Sequence, residues 1–242
     1  MTERTNESTN VTKADSDDQA RTYFQVREGN MRVKGAIAKF VVDNFLHEGD
    51  SILLDAGTSL YPIAEEIARK ARETPEDTHY TIITHNYTAF QVLVEEVPRK
   101  ANLNIVLAGG RYDQDLNALF GPQTTMAYDH FFPRVVLIGI SGMVADQGLF
   151  CHGNTEELSV KEVIFRKTAR DRIIIADCTK LGVPDALRFG ESQHLHAGVE
   201  NCIVVTNFPD PEGDTKLAKR FREEVEKLEK TYKVTVKKVD IE

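Results

Sequence analysis

Short apolar runs alternate with amphipathic segments after residue 30, and this alternation is the feature that most limits the fold. Runs such as SILLD (51–55), YTIIT (80–84) and RIIIAD (172–177) are apolar almost throughout, as strands are when both faces of a sheet are covered. Between them, segments such as 60–72 and 214–230 carry apolar residues at helical spacing. The alternation predicts one α/β domain, with a mainly parallel sheet and helices on both faces.

Helical spacing also predicts which residues of two further helices face the core. These are Ile37, Val41 and Phe45 in a helix over 34–47, and Phe90, Val94 and Val97 in a helix over 87–97. A helix over 155–170 has Thr155 as its predicted N-cap and glutamates in its first turn. Residues 111–133 have no regular pattern and are predicted to form at most a small subdomain.

The N-terminal segment differs from the rest of the chain. Residues 1–22 contain almost no large apolar side chains, so burial cannot offset the entropy lost on ordering them. We therefore expect residues 1–30 to be a disordered tail and residues 31–242 to be the folded domain.

The net charge and the cysteine content limit which binding partners and which cellular compartment are expected. The net charge of −8 opposes binding to nucleic-acid phosphates unless a local basic patch overrides it. No apolar run approaches the roughly 20 residues that span a bilayer, and no secretion signal precedes the domain. Three cysteines without metal-type spacing suit a reducing compartment, so a cytoplasmic protein without membrane contact is expected.

Small hydroxyl residues, glycines and single cations recur just after the predicted strands. The carboxyl ends of parallel strands share one edge of the sheet, and ligands of open α/β sheets bind there. Exposed amides and helix N-termini at that edge favour an anion such as phosphate. The segments concerned are Asp55-Ala56-Gly57-Thr58-Ser59, Thr84-His85-Asn86, Gly109-Gly110-Arg111, Gly139-Ile140-Ser141-Gly142 and Asp177-Cys178-Thr179-Lys180.

Each of these features also has a purely structural interpretation. Gly57 and the pair Gly109-Gly110 are equally typical of tight turns, and Ser59 of a helix N-cap. Glu157 and Lys161, four residues apart, are typical of a solvated helix pair. No P-loop, GxGxxG, GxSxG or HExxH motif is present, so we expect no cofactor, metal or catalytic triad.

Seven segments follow one another in an order and spacing that can be compared with known families. They are KGAIAKFVVDNFLHEGDSILLDAGTS, IITHN, VLAGGRY, ALFGP, VLIGISGMVADQGL, EELSVK and IIIADCTKLG. Their order resembles the C-terminal effector-sensing domain of DeoR/GlpR-type bacterial transcriptional regulators. The resemblance covers about residues 31–207, so the folded domain is assigned as a DeoR-type sensor domain over 31–242. It implies a Rossmann-like sheet similar to ribose-5-phosphate isomerase and CoA transferases, with a phosphorylated sugar as ligand.

The resemblance also implies which residues face the ligand. The amides and hydroxyls of Gly57, Thr58 and Ser59 would hold phosphate, and Lys161 or Lys180 would add a charged contact. Asp55, Glu157 and Asp177 would accept sugar hydroxyls or orient a lysine. The complete set is Asp55, Gly57, Thr58, Ser59, Thr84, His85, Asn86, Gly109, Gly110, Gly139, Gly142, Glu157, Lys161, Asp177 and Lys180.

Three departures from the family pattern matter. His85 stands where the family has an asparagine, which would alter the choice of sugar or introduce pH sensitivity near neutrality. Arg134 replaces an acidic residue before the fourth strand. About 30 polar residues stand where DeoR-type regulators carry a winged helix-turn-helix. Specific DNA binding by this chain alone is therefore not expected.

Two functions remain open at this point. One is a sugar-phosphate-binding regulator that acts through homo-oligomerisation or a separate protein partner. The other is a sugar-phosphate isomerase on the same fold, for which Asp55, Glu157 or Asp177 would be the base. Against the enzyme, the Asp-Gly-Ala-Asp-Glu segment of pentose isomerases is replaced by GISGMVADQG. We expect variants of Ser59, Lys161 and Lys180 to lose ligand but stay folded, because these positions are predicted to lie at a surface crevice.

Overall fold

A seven-stranded sheet forms the centre of the molecule, and every neighbouring pair of its strands is parallel. The computed structural model describes residues 30–210 and 213–241, so the tail predicted over residues 1–30 lies outside the described residues except for Asn30. Helices pack on both faces of the sheet. The predicted α/β class, with a mainly parallel sheet, is confirmed.

The helices and strands follow one another in the predicted alternation. The helices are α1 (Met31–Phe45), α2 (Tyr61–Glu73), α3 (Tyr87–Glu96), α4 (Pro122–Asp129), α5 (Thr155–Phe165) and α6 (Thr215–Lys230). The strands are β1 (Ser51–Leu54), β2 (His79–Thr84), β3 (Asn102–Leu107), β4 (Arg111–Asp113), β5 (Ala118–Phe120), β6 (Val135–Gly139), β7 (Gly142–Val144), β8 (Gly148–Cys151), β9 (Ala169–Ile175), β10 (Leu187–Glu191), β11 (Val199–Asn207) and β12 (Thr235–Val239).

The order of the strands fixes where a ligand can bind. The main sheet runs β12-β11-β9-β6-β1-β2-β3. From β1 the chain moves outward to β2 and β3, then returns to β6 and moves outward on the other side. Strand order therefore reverses between β1 and β6. In open α/β sheets, a crevice opens at the carboxyl ends of the strands at such a reversal.

Two apolar cores lie on opposite faces of this sheet. Ile52 and Leu54 of β1 pack with α1, α2 and α3, whereas Leu53, between them, packs in the core that includes residues of α4, α5 and α6. This alternation is the strand period of two, with both faces buried. Within residues 30–210 and 213–241, no helix combines the length and the apolar character that crossing a bilayer requires.

The predicted helices are present, but the bounds of the first helix and the buried face of α3 differ from the prediction. The first helix begins at residue 31 and ends at 45, not over 34–47, and Ile37 and Val41 are buried as predicted. In α3 the predicted inner face is wrong, because Ala89 and Leu93 are buried while Val94 is 54% exposed. The side chain of Asn86 caps this helix by accepting from the Ala89 amide, and Ala89 and Leu93 lie four residues apart on one face.

Two small antiparallel sheets stand beside the main one. Strands β4 and β5 form a hairpin, and β7, β8 and β10 form a three-stranded sheet. The hairpin and α4 account for much of residues 111–133, which had shown no regular pattern in the sequence. An isolated bridge between Asn86 and Ala118 joins the hairpin to the end of β2. The hairpin thereby becomes a wall of the crevice at the sheet edge.

Candidate functional site

A crevice of about 320 Å³ opens where the strand order reverses. It lies beside the ends of β1 and β6 and is bordered by α1, α2, α5 and the hairpin. Several of the predicted site residues line it: Gly57, Thr58, Ser59, Gly139, Glu157, Lys161, Asp177 and Lys180. Positions far apart in the sequence are therefore brought together at one edge of the sheet.

The turn of Gly57, Thr58 and Ser59 lines this crevice. The three residues precede α2, whose N-cap residue is Leu60 and whose N-terminus has no side-chain cap, so Ser59 is not the N-cap. Within the part of the chain that the structure describes, these three amides donate to no backbone acceptor. Helix N-termini carry partial positive charge and donor groups without partners, and both favour an anion.

Two lysines add positive charge at this end of the crevice. Lys34 of α1 places its Nζ 3.2 Å from Thr58 Oγ1, and Lys180 also lines the crevice. Burial lowers the pKa of Lys34; nearby Asp177 raises it, and Lys180 lowers it further. An anion bound here would therefore favour the charged form of Lys34.

Lys161 has a different environment from the one that was predicted. Its side chain is 4% exposed, and its Nζ lies 2.6 Å from Asp55 Oδ2 and 2.8 Å from the carbonyl oxygen of Gly139. Burial would lower the pKa of Lys161, but the carboxylates of Asp55 and Glu157 outweigh this effect and raise it. The interpretation of Glu157 and Lys161 as a solvated helix pair is wrong, because both side chains are largely buried.

Asp55 lies beneath the crevice and does not line it. Its carboxylate accepts hydrogen bonds from the amides of Ala56 and Gly139 as well as from Lys161, and the side chain is fully buried. It thus joins the end of β1 to the end of β6 across the reversal point. Lys161 is therefore not at a surface position, which was the reason for expecting its variants to stay folded. That a Lys161 variant stays folded remains a prediction, with lower stability expected because Lys161 neutralises a buried charge.

His85 is also buried, at 1% exposure, and does not reach the crevice. Its Nδ1 lies 2.6 Å from the hydroxyl oxygen of Tyr128, and its Nε2 lies 3.7 Å from Asp55 Oδ1. Burial lowers the pKa of His85 to about 4; Asp55 opposes this shift and Lys161 adds to it. The predicted pH sensitivity near neutrality is wrong, because the imidazole is neutral there.

The remaining predicted residues shape the backbone around the crevice. Thr84 Oγ1 accepts from the Asn86 amide, and Asn86 Nδ2 lies 3.4 Å from the Gly57 carbonyl oxygen, which links the end of β2 to the turn of Gly57, Thr58 and Ser59. Gly109 accepts a bond from Thr124. A Cβ at Gly110 would lie 2.5 Å from the Phe120 carbonyl oxygen. The predicted residues Thr84, Asn86, Gly109 and Gly110 themselves do not line the crevice.

Gly142 is likewise outside the crevice. A Cβ at this position would lie 2.2 Å from the carbonyl oxygen of Val183, which is shorter than any allowed contact. Glycine is therefore required for the close approach of β7 to the segment before β10. Gly139 does line the crevice, and a Cβ there would meet the Leu60 side chain at 2.5 Å.

Two carboxylates, those of Asp177 and Glu157, also line the crevice. Asp177 caps the short 3-10 turn Cys178–Lys180 by accepting from the Thr179 amide. Glu157 lies in the first turn of α5, where Asn154 is the N-cap and accepts from the amides of Glu156 and Glu157. The predicted N-cap Thr155 is wrong by one residue, since Thr155 is the first helical residue. Burial raises the pKa of Glu157 to about 7 against the effect of Lys161, and Asp55 raises it further.

Sequence reasoning missed several lining residues, Lys34 above all. A charged residue on the buried face of α1, three residues before Ile37, was the available signal, because lysine is rarely buried without a role. Some of the other lining residues do not belong to the segments predicted to follow strands, and the rest belong to those segments but were not predicted to contact a ligand. They are Asn30, Ala56, Leu60, Leu116, Phe120, Ile140, Ser141, His152 and Thr179.

The family model of the DeoR C-terminal sensor domain matches residues 29–201. The chain belongs to the DeoR family. This assignment confirms the resemblance seen in the sequence, and the matched residues extend from α1 to the first residues of β11.

Three curated relatives are repressors. The transcriptional repressor AccR of Agrobacterium fabrum is 28% identical over 62% of this chain and 54% of its own length. The lactose phosphotransferase system repressor of Staphylococcus epidermidis is 26% identical over 68% of this chain and 60% of its own length. The repressor GlcR of Bacillus subtilis is 24% identical over 63% of this chain and 53% of its own length. This DeoR-family chain therefore spans between half and two thirds of these relatives.

Two solved structures are similar to this DeoR sensor domain at low identity. Ribose 5-phosphate isomerase A from Methanocaldococcus jannaschii matches with a TM-score of 0.43 and 16% identity, over 62% of this chain and 54% of that one. The delta subunit of eIF2B from Chaetomium thermophilum matches with a TM-score of 0.39 and 16% identity, over 65% of this chain and 50% of that one.

Proposed function

We propose that this domain binds a phosphorylated sugar in the crevice and that ligand binding regulates a transcriptional repressor. One observation carries the proposal. At the reversal of strand order, the uncapped turn of Gly57, Thr58 and Ser59 lies in the same crevice as the ammonium groups of Lys34 and Lys180. Amides at a helix N-terminus together with lysines form a site for a phosphate dianion.

The rest of the crevice suits the sugar. The carboxylates of Asp177 and Glu157 and the hydroxyl of Ser141 line it and can accept hydrogen bonds from sugar hydroxyls. Leu60 and Ile140 supply apolar surface for the carbon skeleton. The volume of about 320 Å³ lies at the lower end of the range for small-molecule sites, roughly 300–1,000 Å³.

The regulatory part of the proposal rests on the family and on the names of the relatives. Those relatives are repressors, and one is named for a lactose phosphotransferase system. We propose that this chain acts in the cytoplasm as a homo-oligomer or with a separate protein partner, and that the sugar phosphate shifts this assembly. A ligand shifts an assembly only by its difference in affinity for the two states.

The test is calorimetric titration after a thermal-shift screen with glucose 6-phosphate, fructose 6-phosphate, ribose 5-phosphate and inorganic phosphate. Ser59→Glu should abolish detectable binding, because it places a negative charge beside the phosphate. Lys34→Met and Lys180→Ala should each weaken binding by about 1.5 to 3 kcal/mol, the range for hydrogen bonds involving charged groups.

Lys39→Ala is the matched control for Lys34, because Lys39 lies on the same helix with 58% of its side chain exposed. It should bind as the wild type does. Unchanged affinity in all three crevice variants would place the phosphate elsewhere and contradict the proposal.

The isomerase remains a second candidate because of one observation. The Glu157 carboxyl lines the crevice with a pKa of about 7, which suits a general base near neutral pH. The titrated samples can be analysed for interconversion of aldose and ketose phosphates. Turnover that Glu157→Gln abolishes would favour the enzyme, whereas recovery of unchanged ligand favours the regulator.

We also propose that the 242-residue chain alone does not bind DNA with sequence selectivity, because its net charge is −8. In gel-shift assays, any retardation should be weak, disappear with added salt and depend little on sequence. A sequence-selective shift with the purified chain would contradict this proposal.

A further inference from the structure

Strand β3 forms one edge of the main sheet, and this edge carries no charged side chain. Its sequence is NLNIVL, and within residues 30–210 and 213–241 only β2 pairs with it. The opposite edge is strand β12, which carries Lys237 and Lys238. Charged side chains, lysine above all, are a common means by which proteins keep sheet edges from pairing with other chains. The β12 edge has this protection and the β3 edge does not.

The backbone of β3 points alternately toward β2 and outward. The amide of Ala108 donates to the Thr84 carbonyl oxygen of β2, which fixes the alternation along this parallel ladder. Every second residue back from Ala108 therefore bonds to β2. The amides and carbonyls of the residues between them, Leu103, Ile105 and Leu107, point away from β2. In the described part of the chain, no strand pairs with these outward groups.

Exposed apolar side chains flank this edge on both faces of the sheet. Helix α3 covers one face of β3, and its Val94 is 54% exposed. Val106 of β3 lies on the other face and is 38% exposed. It lies beside Ile83 of β2, which is in register with Leu53 of β1, and both of these are buried. The apolar row of the core thus continues to the edge and ends in solvent, which is typical of an interaction surface.

A second copy of the same chain satisfies all of these outward groups at once. With a twofold axis at Ile105, two β3 strands pair antiparallel, and Ile105 lies opposite its own copy. Leu103 then lies opposite the second copy's Leu107, and all of these are hydrogen-bonded pairs because the outward groups meet one another. On the other face, Asn104 lies opposite the second copy's Val106. A twofold pairing of one surface with itself is the commonest arrangement in soluble oligomers.

We propose that strand β3 is a homodimer interface, through which two copies of this chain join their main sheets into one continuous sheet. The same twofold axis brings the two α3 helices together on one face, where Val94 is exposed. This inference rests on the homo-oligomer that forms part of the proposed function, and it does not depend on which ligand binds.

The elements at this interface are also joined to the crevice. After β3 the chain enters the β4–β5 hairpin, where Leu116 and Phe120 line the crevice. Helix α3 is capped by Asn86, whose Nδ2 lies 3.4 Å from the Gly57 carbonyl oxygen. A dimer formed through β3 therefore has at its interface two elements that adjoin the ligand site. This continuity favours β3 over a surface remote from the crevice.

Paired charges test both the surface and its register. Asn104→Lys combined with Val106→Lys places lysines opposite each other at two places in the dimer. Asn104→Lys combined with Val106→Glu places a lysine opposite a glutamate at both places. Both variants change exposed side chains, so both should stay folded, which circular dichroism checks. Sedimentation equilibrium of the ligand-free full chain measures the dimer dissociation constant.

We expect the wild type to dimerise. The dimer dissociation constant of the lysine–lysine variant should exceed that of the lysine–glutamate variant at least roughly 10-fold. The reason is that like charges directly opposite each other destabilise a pair of strands, whereas opposite charges stabilise it. The two variants are matched in position and differ only in the charge at residue 106.

Cysteine cross-linking tests the same register independently. Asn104→Cys and Val106→Cys proteins, mixed and mildly oxidised, should give a disulfide-linked dimer, because directly opposite residues that are not hydrogen-bonded lie closest together. Each protein alone should link less, since its cysteine lies diagonal to its own copy. The three native cysteines are buried. Lys237→Cys on the opposite edge is the matched control and should stay unlinked.

The outcomes separate this inference from the proposed function. Equal dissociation constants for the two charge variants, with no linked dimer in the mixture, would place the interface elsewhere and overturn the role of β3. A wild type that is monomeric at every concentration would overturn both the β3 interface and the proposed homo-oligomer. The edge would then be left to residues outside the described chain or to a different protein. Neither result bears on phosphate binding, which titration of the crevice variants decides.

Discussion

Replacing Lys161 by alanine should lower the free energy of unfolding by about 3 to 5 kcal/mol. This is the range observed when one partner of a buried ion pair is removed, because the other charge is left without compensation in the interior. Asp55 is fully buried and loses its 2.6 Å partner in this variant. The Gly139 carbonyl oxygen loses a donor at the same time. Urea unfolding followed by circular dichroism measures the change.

Two further variants make this test specific. Lys180→Ala, at a half-buried position in the same crevice, should change stability by less than about 1 kcal/mol. Asp55→Asn combined with Lys161→Met should be more stable than Lys161→Ala, since it removes both buried charges together. A Lys161→Ala protein within 1 kcal/mol of the wild type would show that the pair is not held as the structure indicates.

The parallel arrangement of the strands explains why part of the site could be predicted from the sequence. Residues that follow different parallel strands meet at one edge, whatever the order of those strands. This geometry brought Gly57, Gly139 and Asp177 together in the crevice. The alternation of apolar strands with amphipathic helices was sufficient for that step, and it required no knowledge of individual contacts.

Contacts between side chains could not be predicted in the same way. Lys161 and Asp55 are 106 residues apart, and nothing local indicates that they pair. The resemblance implied Lys161 or Lys180 as the phosphate ligand; because Lys161 pairs with Asp55, we propose Lys34 together with Lys180. Lys34 lies on the first helix, before any strand, so it is not among the residues that follow a strand and could not be predicted from them.

His85 shows the same limit for a single residue. It follows β2 and so belongs, by position, with the ligand-facing residues. In the structure its ring turns into the core formed by Phe120 and Tyr128, with ring centroids 5.4 and 5.6 Å away. Adjacent residues of an extended segment point to opposite sides, and only the folded chain shows which side is the crevice.

The burial of His85 leads to the second prediction with a large effect, a loss of folding stability at acidic pH. Its pKa is about 4 in the folded protein, below the ordinary value of 6.5, so the unfolded chain binds this proton first. The neutral form therefore stabilises the fold above pH 6.5, and that stability is lost as pH falls toward 4. A shift of this size corresponds to roughly 3 kcal/mol, at about 1.4 kcal/mol per pKa unit.

The variant His85→Asn should lose this share of the acid sensitivity. At pH 7 it should be less stable than the wild type, because the ring contacts and the bond to Tyr128 are gone. Between pH 6.5 and 4 its free energy of unfolding should fall less steeply, and the two curves should converge by roughly 3 kcal/mol. Carboxylates titrate in both proteins and cancel in the difference. Parallel curves over this range, measured by urea unfolding at each pH, would mean that His85 is not held neutral by burial.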